Sequence, residues 1–381
     1  MHRIPAGKLI YLDSAATTLQ KPPRVREAVL RAMQTMASPG RGGHRPAMLA
    51  AETAFACRSE LAALFHVPEP DNVVFTMNAT HALNIAIADL VSPGDRVVVS
   101  GFEHNAVTRA LALHGAEIDV AASPLFAPNA AVEAFRRKLP GAKACVVCHV
   151  SNVFGYILPV REIAEVCRSE GVPLIVDASQ SAGSVPVDFS QLGADYIAMP
   201  GHKGLFGPQG TGVLLCGRTP RPLLAGGTGS ESKRIEMPEY LPDRLEAGTH
   251  NVPGIAGLLE GVRFVRTRGT ERILQHERAL LRQAAGMLSG IGGMELFLST
   301  EPEYQAGVLS LRHRDTDCET LASRLGEKNV AVRAGWHCAP LAHRTGGTYD
   351  TGTLRLSFSP FNSAAEIAEM AERIKICVKK R

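Results

Sequence analysis

Residues 172–216 read VPLIVDASQSAGSVPVDFSQLGADYIAMPGHKGLFGPQGTGVLLC. This stretch contains three short apolar runs, at 173–177, 196–199 and 212–216, which are separated by residues typical of turns. Apolar runs of this length, bounded by turn residues, are typical of buried β-strands. The first run ends in an acid and the second is followed by a lysine among glycines. Residues able to do chemistry therefore follow two neighbouring strands.

The same pattern extends towards the N-terminus. Four further runs have the length and composition of strands, and helical spacing fills several of the intervals between them. Strands that alternate with helices predict an α/β domain with a mostly parallel sheet of seven strands. The further strands are expected at 72–76, 96–100, 117–121 and 144–150, with helices at 80–91, 105–114, 129–138 and 160–169.

The pattern changes after about residue 217. The stretch 220–229 is rich in Pro and Gly and is typical of a loop, and a long helical pattern runs from 253 to about 288. Strand-like stretches at 307–311 and 330–333 follow, on either side of a helix at 318–326. These features predict an N-terminal segment (1–20), a large domain (21–259) and a smaller α+β C-terminal domain (260–381).

The last helix has its own start signal. Ser363 and Glu366 have the spacing of a capping box, in which each side chain bonds the other residue's backbone N–H. The helix after it places five apolar residues on one face, which is expected to be buried. These residues are Ile367, Met370, Ala371, Ile374 and Cys377.

Composition excludes several classes of protein. The 381 residues are 45% apolar and 20% charged, with a net charge of +4, so neither disorder nor nucleic-acid binding is expected. No apolar run is long enough for a transmembrane helix, and Asp13 comes too early for a secretory signal. Eight cysteines are too few for a disulfide scaffold, which indicates the reducing cytoplasm.

Three residues lie at the end of a predicted strand or just past one. A lysine held there, Lys203, can lose its proton and form a Schiff base with an aldehyde, although it could equally be a solvated turn residue. Asp177 can pair with a protonated ring nitrogen, or it can cap a helix. His104 can stack on a flat cofactor, or it can be purely structural. None of these three residues, taken alone, decides between its two alternative roles.

A fourth segment contains Cys338, which lies between the only tryptophan, Trp336, and Pro340. A cysteine in an exposed loop can be a reactive thiolate, whereas the other seven are expected in the core. No metal site is expected, because the sequence has no HExxH motif and no paired CxxC motifs with zinc spacing. The glycines of 225–230 do not follow a clear strand and predict no dinucleotide site.

Together these segments resemble one family, the fold-type I pyridoxal-phosphate enzymes of aminotransferase class V, and specifically the cysteine desulfurases. The resemblance runs from Tyr11 to Ser357. Its specific motifs are Gly-His-Lys203 and Arg333-x-Gly-x-x-Cys338. The short stretch from Cys338 to Arg355 is similar to the Suf-type (group II) branch.

The resemblance implies a role for each matching residue. Lys203 would bond the aldehyde of pyridoxal 5'-phosphate, Asp177 would pair with its ring nitrogen, and Gln180 would contact its phenolic oxygen. His104 would stack on the ring and carry a proton near the substrate thiol.

Further residues would hold the phosphate and the substrate. Ala79, Thr80 and His202 would contact the phosphate, with Thr80 at a helix start whose free N–H groups favour an anion. Thr249 would reach the cofactor of the other subunit in a homodimer. The two remaining residues, Asn152 and Arg355, would bind the substrate, because an arginine fork matches a carboxylate.

Three positions depart from the family pattern. Pro200 stands where a phosphate-binding Ser or Thr is usual, which removes one phosphate contact. His81 stands where many Suf-type members have Glu. The residues after Cys338 read Ala-Pro-Leu-Ala-His rather than Ala-Met-Pro-Leu, which affects the partner surface and the mobility of the loop.

The expected function is a homodimeric cysteine desulfurase that converts L-cysteine to L-alanine. The sulfur would stay on Cys338 as a persulfide and pass to an acceptor protein or a small thiol, for example in iron–sulfur cluster assembly. A selenocysteine lyase acting on L-selenocysteine shares every motif. A plain aminotransferase or β-lyase gives Cys338 no task, and a sulfur-carrier scaffold would be expected to lack Lys203 or Asp177.

Overall fold

The computed structural model of the chain describes residues 8–39 and 42–379. This description leaves out residues 1–7, 40–41 and 380–381. The start of the predicted N-terminal segment, and most of the stretch that argued against a secretory signal, therefore lie outside the described residues. The strands are β1 (Ile10–Tyr11), β2 (Val73–Thr76), β3 (Arg96–Ser100), β4 (Glu117–Ala121), β5 (Ala144–Cys148), β6 (Leu174–Asp177), β7 (Tyr196–Pro200), β8 (Gly212–Cys216), β9 (Met294–Phe297), β10 (Val308–His313), β11 (Val330–Ala331), β12 (Arg333–Gly335) and β13 (Thr353–Ser357).

The helices fill most of the intervals between these strands. Two short 3₁₀ turns, Pro70–Asn72 and Pro302–Tyr304, precede β2 and β10. The α-helices are α1 (Pro23–Thr35), α2 (Arg45–Phe65), α3 (Ala79–Leu90), α4 (Asn105–Leu113), α5 (Pro128–Lys138), α6 (Val160–Glu170), α7 (Phe189–Leu192), α8 (Val252–Arg268), α9 (Thr270–Leu288), α10 (Cys318–Gly326), α11 (Pro340–Thr345) and α12 (Ala364–Lys379).

The large sheet has the strand order β2-β8-β7-β6-β5-β3-β4. Four of its six neighbouring pairs are parallel, and β8 runs antiparallel to both β2 and β7. The five residues of β5 and the four of β6 are all buried, as expected for strands covered by helices on both faces. The predicted α/β fold with a mostly parallel seven-stranded sheet is confirmed.

A second sheet is antiparallel, in the order β12-β13-β10-β9. Helix α12 packs on it through the five predicted apolar residues, all of which are buried in one cluster. The predicted capping box also forms, because Ser363 N–H donates to Glu366 Oε2 and Glu366 N–H donates to Ser363 Oγ. The secondary structure of the C-terminal part is therefore α+β, while the domain limits stay a prediction.

The long helical pattern at 253–288 is two helices rather than one. Gly269 separates α8 from α9 with φ of 85°, in the region of backbone space that favours glycine. The break lets α9 turn and pack against α12, while α8 packs along α1 and α2.

The N-terminal residues pack against the C-terminal part of the chain. Strand β1 pairs in parallel with β11, and Asp13 forms a bridge with Ser357 at the end of β13. Ile10 and Leu12 are buried in the same apolar cluster as α12. This arrangement brings Asp13 close to the arginines of β12 and β13. Among the described residues, no helix is long and apolar enough to cross a bilayer.

Candidate active site

The carboxyl ends of the parallel strands meet at one edge of the large sheet. A cavity of about 110 Å³ opens there, between the residues that follow β2, β3, β5, β6 and β7. This is the edge at which open α/β sheets bind ligands. The cavity brings together eight of the eleven predicted site residues: Ala79, Thr80, His104, Asn152, Asp177, Gln180, His202 and Lys203.

Lys203 follows β7 and lines this cavity. Burial lowers the pKa of its amine to about 8, and the positive charges of Arg355 and Arg333 act in the same direction. The carboxylate of Asp177 acts in the opposite direction but does not outweigh the burial. A substantial fraction of the Lys203 side chain is therefore neutral near pH 8, the form that attacks a carbonyl.

Asp177 is the last residue of β6 and is 4% exposed. Its Oδ1 accepts a hydrogen bond of 2.9 Å from the Ser179 N–H. The alternative role as a helix cap is not observed, because the next helix, α7, is capped by Asp188. Nearby, Gln180 donates from its side-chain amide to the Ala15 carbonyl over 3.0 Å, so the N-terminal segment borders the cavity.

His104 caps the N-terminus of α4. Its Nδ1 accepts a hydrogen bond of 3.0 Å from the Ala106 N–H, so the neutral ring carries its proton on Nε2. Burial lowers the pKa of the ring, which favours this neutral form. His104 therefore caps α4 and lines the cavity at the same time.

The first turn of α3 offers free N–H groups to the cavity. Asn78 caps this helix by accepting from the His81 N–H at 2.9 Å, while Ala79 and Thr80 line the cavity. Such a turn favours an anion. The His202 Nδ1 lies 3.0 Å from the Thr17 hydroxyl, and burial lowers the pKa of this ring to about 4.

Two of the family departures can be placed. Pro200 ends β7 and lines the cavity without offering a hydroxyl. The His81 Nδ1 instead accepts from the Met77 N–H at 3.3 Å, a local contact at the start of α3.

Arg355 lies on β13, is 2% exposed and is not among the residues that line the cavity. Its guanidinium donates from Nη1 to the Asn152 carbonyl at 2.9 Å and from Nη2 to Asp13 Oδ1 at 2.8 Å. The third nitrogen, Nε, is buried and has no partner among the described residues. Arg333 donates to the other carboxylate oxygen of Asp13 at 3.1 Å.

Sequence patterns did not single out Asp13 as a functional residue. Its only signal was its place in the Tyr11-Leu-Asp-Ser stretch that carries the family resemblance. Glu103 was also missed, although it precedes His104. Burial raises the pKa of Glu103 to about 8, one oxygen accepts from the Cys148 N–H at 2.8 Å, and the other has no described partner.

Cys338 is the one exposed cysteine, and the other seven are buried as predicted. It lies between β12 and α11 and does not line the cavity. Its backbone carbonyl accepts a hydrogen bond of 2.8 Å from the Asn105 N–H, directly after His104. The loop is thus attached to the cavity's rim through its main chain.

Thr249 does not join the cavity of its own chain. It is exposed and lines a separate cavity of about 240 Å³ with Met77 and His81. Its loop is fixed by Glu246, which pairs with buried Arg58 and accepts from the Phe75 N–H. A single subunit therefore leaves this predicted residue away from Lys203.

Comparison with known proteins agrees with this geometry. Residues 10–370 match the family model for aminotransferase class V. A probable cysteine desulfurase of Pyrococcus abyssi is 31% identical over 94% of this chain and 92% of its own. The apo structure of a cysteine desulfurase from Thermococcus onnurineus is 30% identical, with a TM-score of 0.89 over 97% of this chain and 95% of that one.

A cysteine desulfurase structure from Escherichia coli superposes with a TM-score of 0.86 at 26% identity, over 97% of this chain and 95% of that one. The match of fold, length and sequence is therefore nearly end to end. The chain belongs to the class V aminotransferase family, among its cysteine desulfurases.

Proposed function

We propose that the chain is a pyridoxal-phosphate enzyme that converts L-cysteine to L-alanine and retains the sulfur on Cys338. One observation carries the proposal. Lys203 and Asp177 line one cavity. At the edge of this cavity the Asn105 N–H holds the loop that contains Cys338, which is the exposed one of the eight cysteines. An aminotransferase or a β-lyase has no use for a thiol at that place.

The residues of the cavity fit pyridoxal phosphate. Lys203 supplies an amine of lowered pKa for the aldehyde, and Asp177 supplies a carboxylate for the ring nitrogen. The first turn of α3, with Ala79 and Thr80, and His202 would hold the phosphate, and Gln180 and His104 would contact the ring. When bound, the cofactor supplies the electron sink that lets bonds at the substrate's Cα break.

Two residues of the chain would move protons. Lys203, with a pKa of about 8, is able to accept a proton from the substrate carbon and return it. His104 has its Nδ1 engaged by the Ala106 N–H, so it exchanges protons through Nε2 alone. The local cap therefore leaves one nitrogen of this ring for catalysis.

Arg355 and Asn152 would hold the substrate carboxylate. The buried guanidinium has one nitrogen, Nε, without a described partner, and an incoming carboxylate would supply an acceptor for it. Asp13 and the Asn152 carbonyl fix the other two nitrogens, so the arginine is oriented before substrate arrives.

The sulfur step balances without an external oxidant. The thiolate of Cys338 attacks the substrate sulfur, an S–S bond forms and the C–S bond breaks. The electron pair of the C–S bond stays on the carbon, which takes a proton and leaves as alanine. Cys338 keeps a persulfide, which an acceptor protein or a small thiol then removes.

The proposal includes a homodimer in the cytoplasm. Thr249 lines a different cavity from the one that contains Lys203, and it would contact the phosphate in the partner subunit. Two-fold dimers are the commonest homo-oligomers, and their contacts are reciprocal. Each subunit would then complete the other's site.

The test compares Cys338→Ala and Cys338→Ser with wild type. Both variants should lose sulfide release from L-cysteine while still binding cofactor, because Lys203 and Asp177 are unchanged. Activity on L-selenocysteine should fall much less, since selenium leaves carbon more readily. Cys318→Ala, a buried cysteine on α10, is the matched control and should retain activity.

Mass spectrometry after brief exposure to L-cysteine locates the sulfur. One added sulfur on the peptide that contains Cys338 supports the proposal. Undiminished sulfide release by Cys338→Ala, or a persulfide on another cysteine alone, would overturn it. Equal losses on both amino acids would indicate that the cysteine serves structure rather than sulfur transfer.

A further inference from the structure

The backbone around Cys338 is in an unfavourable conformation. His337 and Cys338 have φ of 49° and 56°, so two successive residues with side chains occupy the left-handed region. This region is costly for residues other than glycine, and it is rarely adopted by two in a row. The loop of residues 336–339, called the Cys338 loop below, needs contacts that hold it there.

Two hydrogen bonds from the large-sheet part of the chain supply these contacts. The carbonyl of His337 accepts from the Asn152 side-chain amide at 2.8 Å. The carbonyl of Cys338 accepts from the Asn105 N–H, also at 2.8 Å. Each of the two strained residues is thus held through its carbonyl oxygen by a different segment.

The two bonds differ in what can break them. The bond from Asn105 comes from the main-chain N–H of the first residue of α4, and Asn105 is not among the residues that line the cavity, so a ligand bound there does not compete for it. The bond from Asn152 comes from a side chain that lines the cavity, where it is available to a ligand. The Asn152 carbonyl is bonded to Arg355, so the same residue connects the arginine to the loop.

We propose that Asn105 and Asn152 are positioning residues that hold the Cys338 loop in its strained form, and that substrate releases it by taking the Asn152 amide. The release part rests on the proposed function, in which a substrate carboxylate binds Asn152 and Arg355. Occupancy of the cavity would thereby free the thiol to move. The Asn105 bond would remain as a fixed point about which the loop turns.

The chain offers a matched pair of variants at Asn105. Asn105→Pro removes the N–H but suits the site, because proline is favoured at the first position of a helix. The preceding residue, His104, already has the extended φ of −79° and ψ of 155° that a following proline requires. Asn105→Ala keeps the N–H and removes only the side chain, so it is the control.

The readout is amide hydrogen exchange of the Cys338 loop in the cofactor-loaded enzyme, measured by mass spectrometry. The Ala339 N–H donates to the Trp336 carbonyl at 2.9 Å across the two strained residues, so its protection reports the strained form. Asn105→Pro and Asn152→Ala should raise its exchange rate about five- to tenfold, as expected for loss of one hydrogen bond. Asn105→Ala should match wild type, and thermal denaturation checks that all three variants fold.

L-Alanine tests the release. It has the carboxylate of the substrate but no sulfur, so saturating L-alanine should raise exchange of the loop in wild type. It should add nothing in Asn152→Ala, where the amide is already absent. Equal exchange in Asn105→Pro and Asn105→Ala would overturn the holding role. Unchanged or slower exchange with L-alanine in wild type would overturn the release. The comparison of exchange rates among the Asn105 and Asn152 variants needs no catalytic turnover. Its outcome is therefore independent of whether Cys338 accepts sulfur.

Discussion

Arg355 and Asp13 form a buried ion pair, with Nη2 of the guanidinium 2.8 Å from Oδ1 of the carboxylate. The two residues are 342 positions apart, so the pair joins the N-terminal segment to β13. A buried arginine without its carboxylate is left with an uncompensated charge. The pair therefore affects both the stability of the chain and the orientation of the guanidinium.

We expect Asp13→Asn to raise the KM for L-cysteine several-fold and to lower kcat less, because Arg355 loses the charge that orients it. It should also cost about 3 kcal/mol of unfolding free energy, the usual scale for a broken buried pair. Steady-state kinetics and denaturant titration measure the two effects. Arg333→Gln breaks the half-exposed bridge to the same carboxylate and should cost less than about 1 kcal/mol. Equal effects from the two variants would contradict the role given to Arg355.

The lowered pKa of Lys203 predicts how the apoprotein captures pyridoxal phosphate. Only the neutral amine attacks an aldehyde, so the rate of covalent capture should rise with pH and level off above about 8. Stopped-flow absorbance follows the capture. Lys203→Arg should show none. Lys21, whose burial also lowers its pKa to about 8, is the matched control, and Lys21→Arg should keep the wild-type profile. A rate that does not change with pH would contradict this prediction.

Subunit mixing tests the partner role of Thr249. Thr249→Ala and Lys203→Ala should each be defective alone, the first through weaker cofactor binding. In a mixed dimer one site has Lys203 from one chain and Thr249 from the other, so mixing should restore activity. Co-expression with two different affinity tags isolates the mixed dimer. Mixed dimers no more active than the better parent would show that Thr249 serves its own subunit.

Glu277 on α9 predicts a pH dependence of stability. Burial raises the pKa of its carboxyl from the ordinary 4.5 to about 8, so the folded chain keeps a proton that the unfolded chain loses. Unfolding free energy should therefore fall as pH rises from about 4.5 to about 8, by at most about 1.4 kcal/mol per pH unit.

Glu277→Gln removes this titration. Its gain in melting temperature over wild type should be smallest near pH 5, grow towards pH 8 and then stay constant. Glu271→Gln, an exposed acid on the same helix, is the control and should follow wild type. A constant difference between Glu277→Gln and wild type across this range would show that the carboxyl is ionised when folded.

Local patterns predicted much of the fold. The limits of β3, β4, β8 and α10 agree with the sequence prediction, because apolar runs and their turn residues are properties of a few neighbouring positions. The break at Gly269 was not predicted, since apolar spacing continues on both sides of it. The pairing of β1 with β11 was not predicted either, because it depends on residues about 320 positions apart.

The candidate site also has features that local patterns predict and features that depend on distant segments. Asp177 at the end of β6 and Lys203 after β7 were singled out because open α/β sheets bind ligands at the carboxyl ends of their strands. The hydrogen bonds of Arg355 to Asp13 and Asn152 could not be predicted, since they arise from packing between distant segments. The position of Thr249 depends on a second chain, which no single sequence pattern describes.

The burial of seven of the eight cysteines has a consequence for oxidative damage. Peroxide reacts with accessible thiolates, and it converts them stepwise to sulfenic, sulfinic and sulfonic acids. Buried thiols such as Cys57 and Cys216, whose pKa is raised by burial, are shielded from that chemistry. Oxidants that attack thiols should therefore inactivate the enzyme through the sulfur atom of Cys338 while its fold persists. Mild reductants would restore activity only before that atom passes beyond the sulfenic stage.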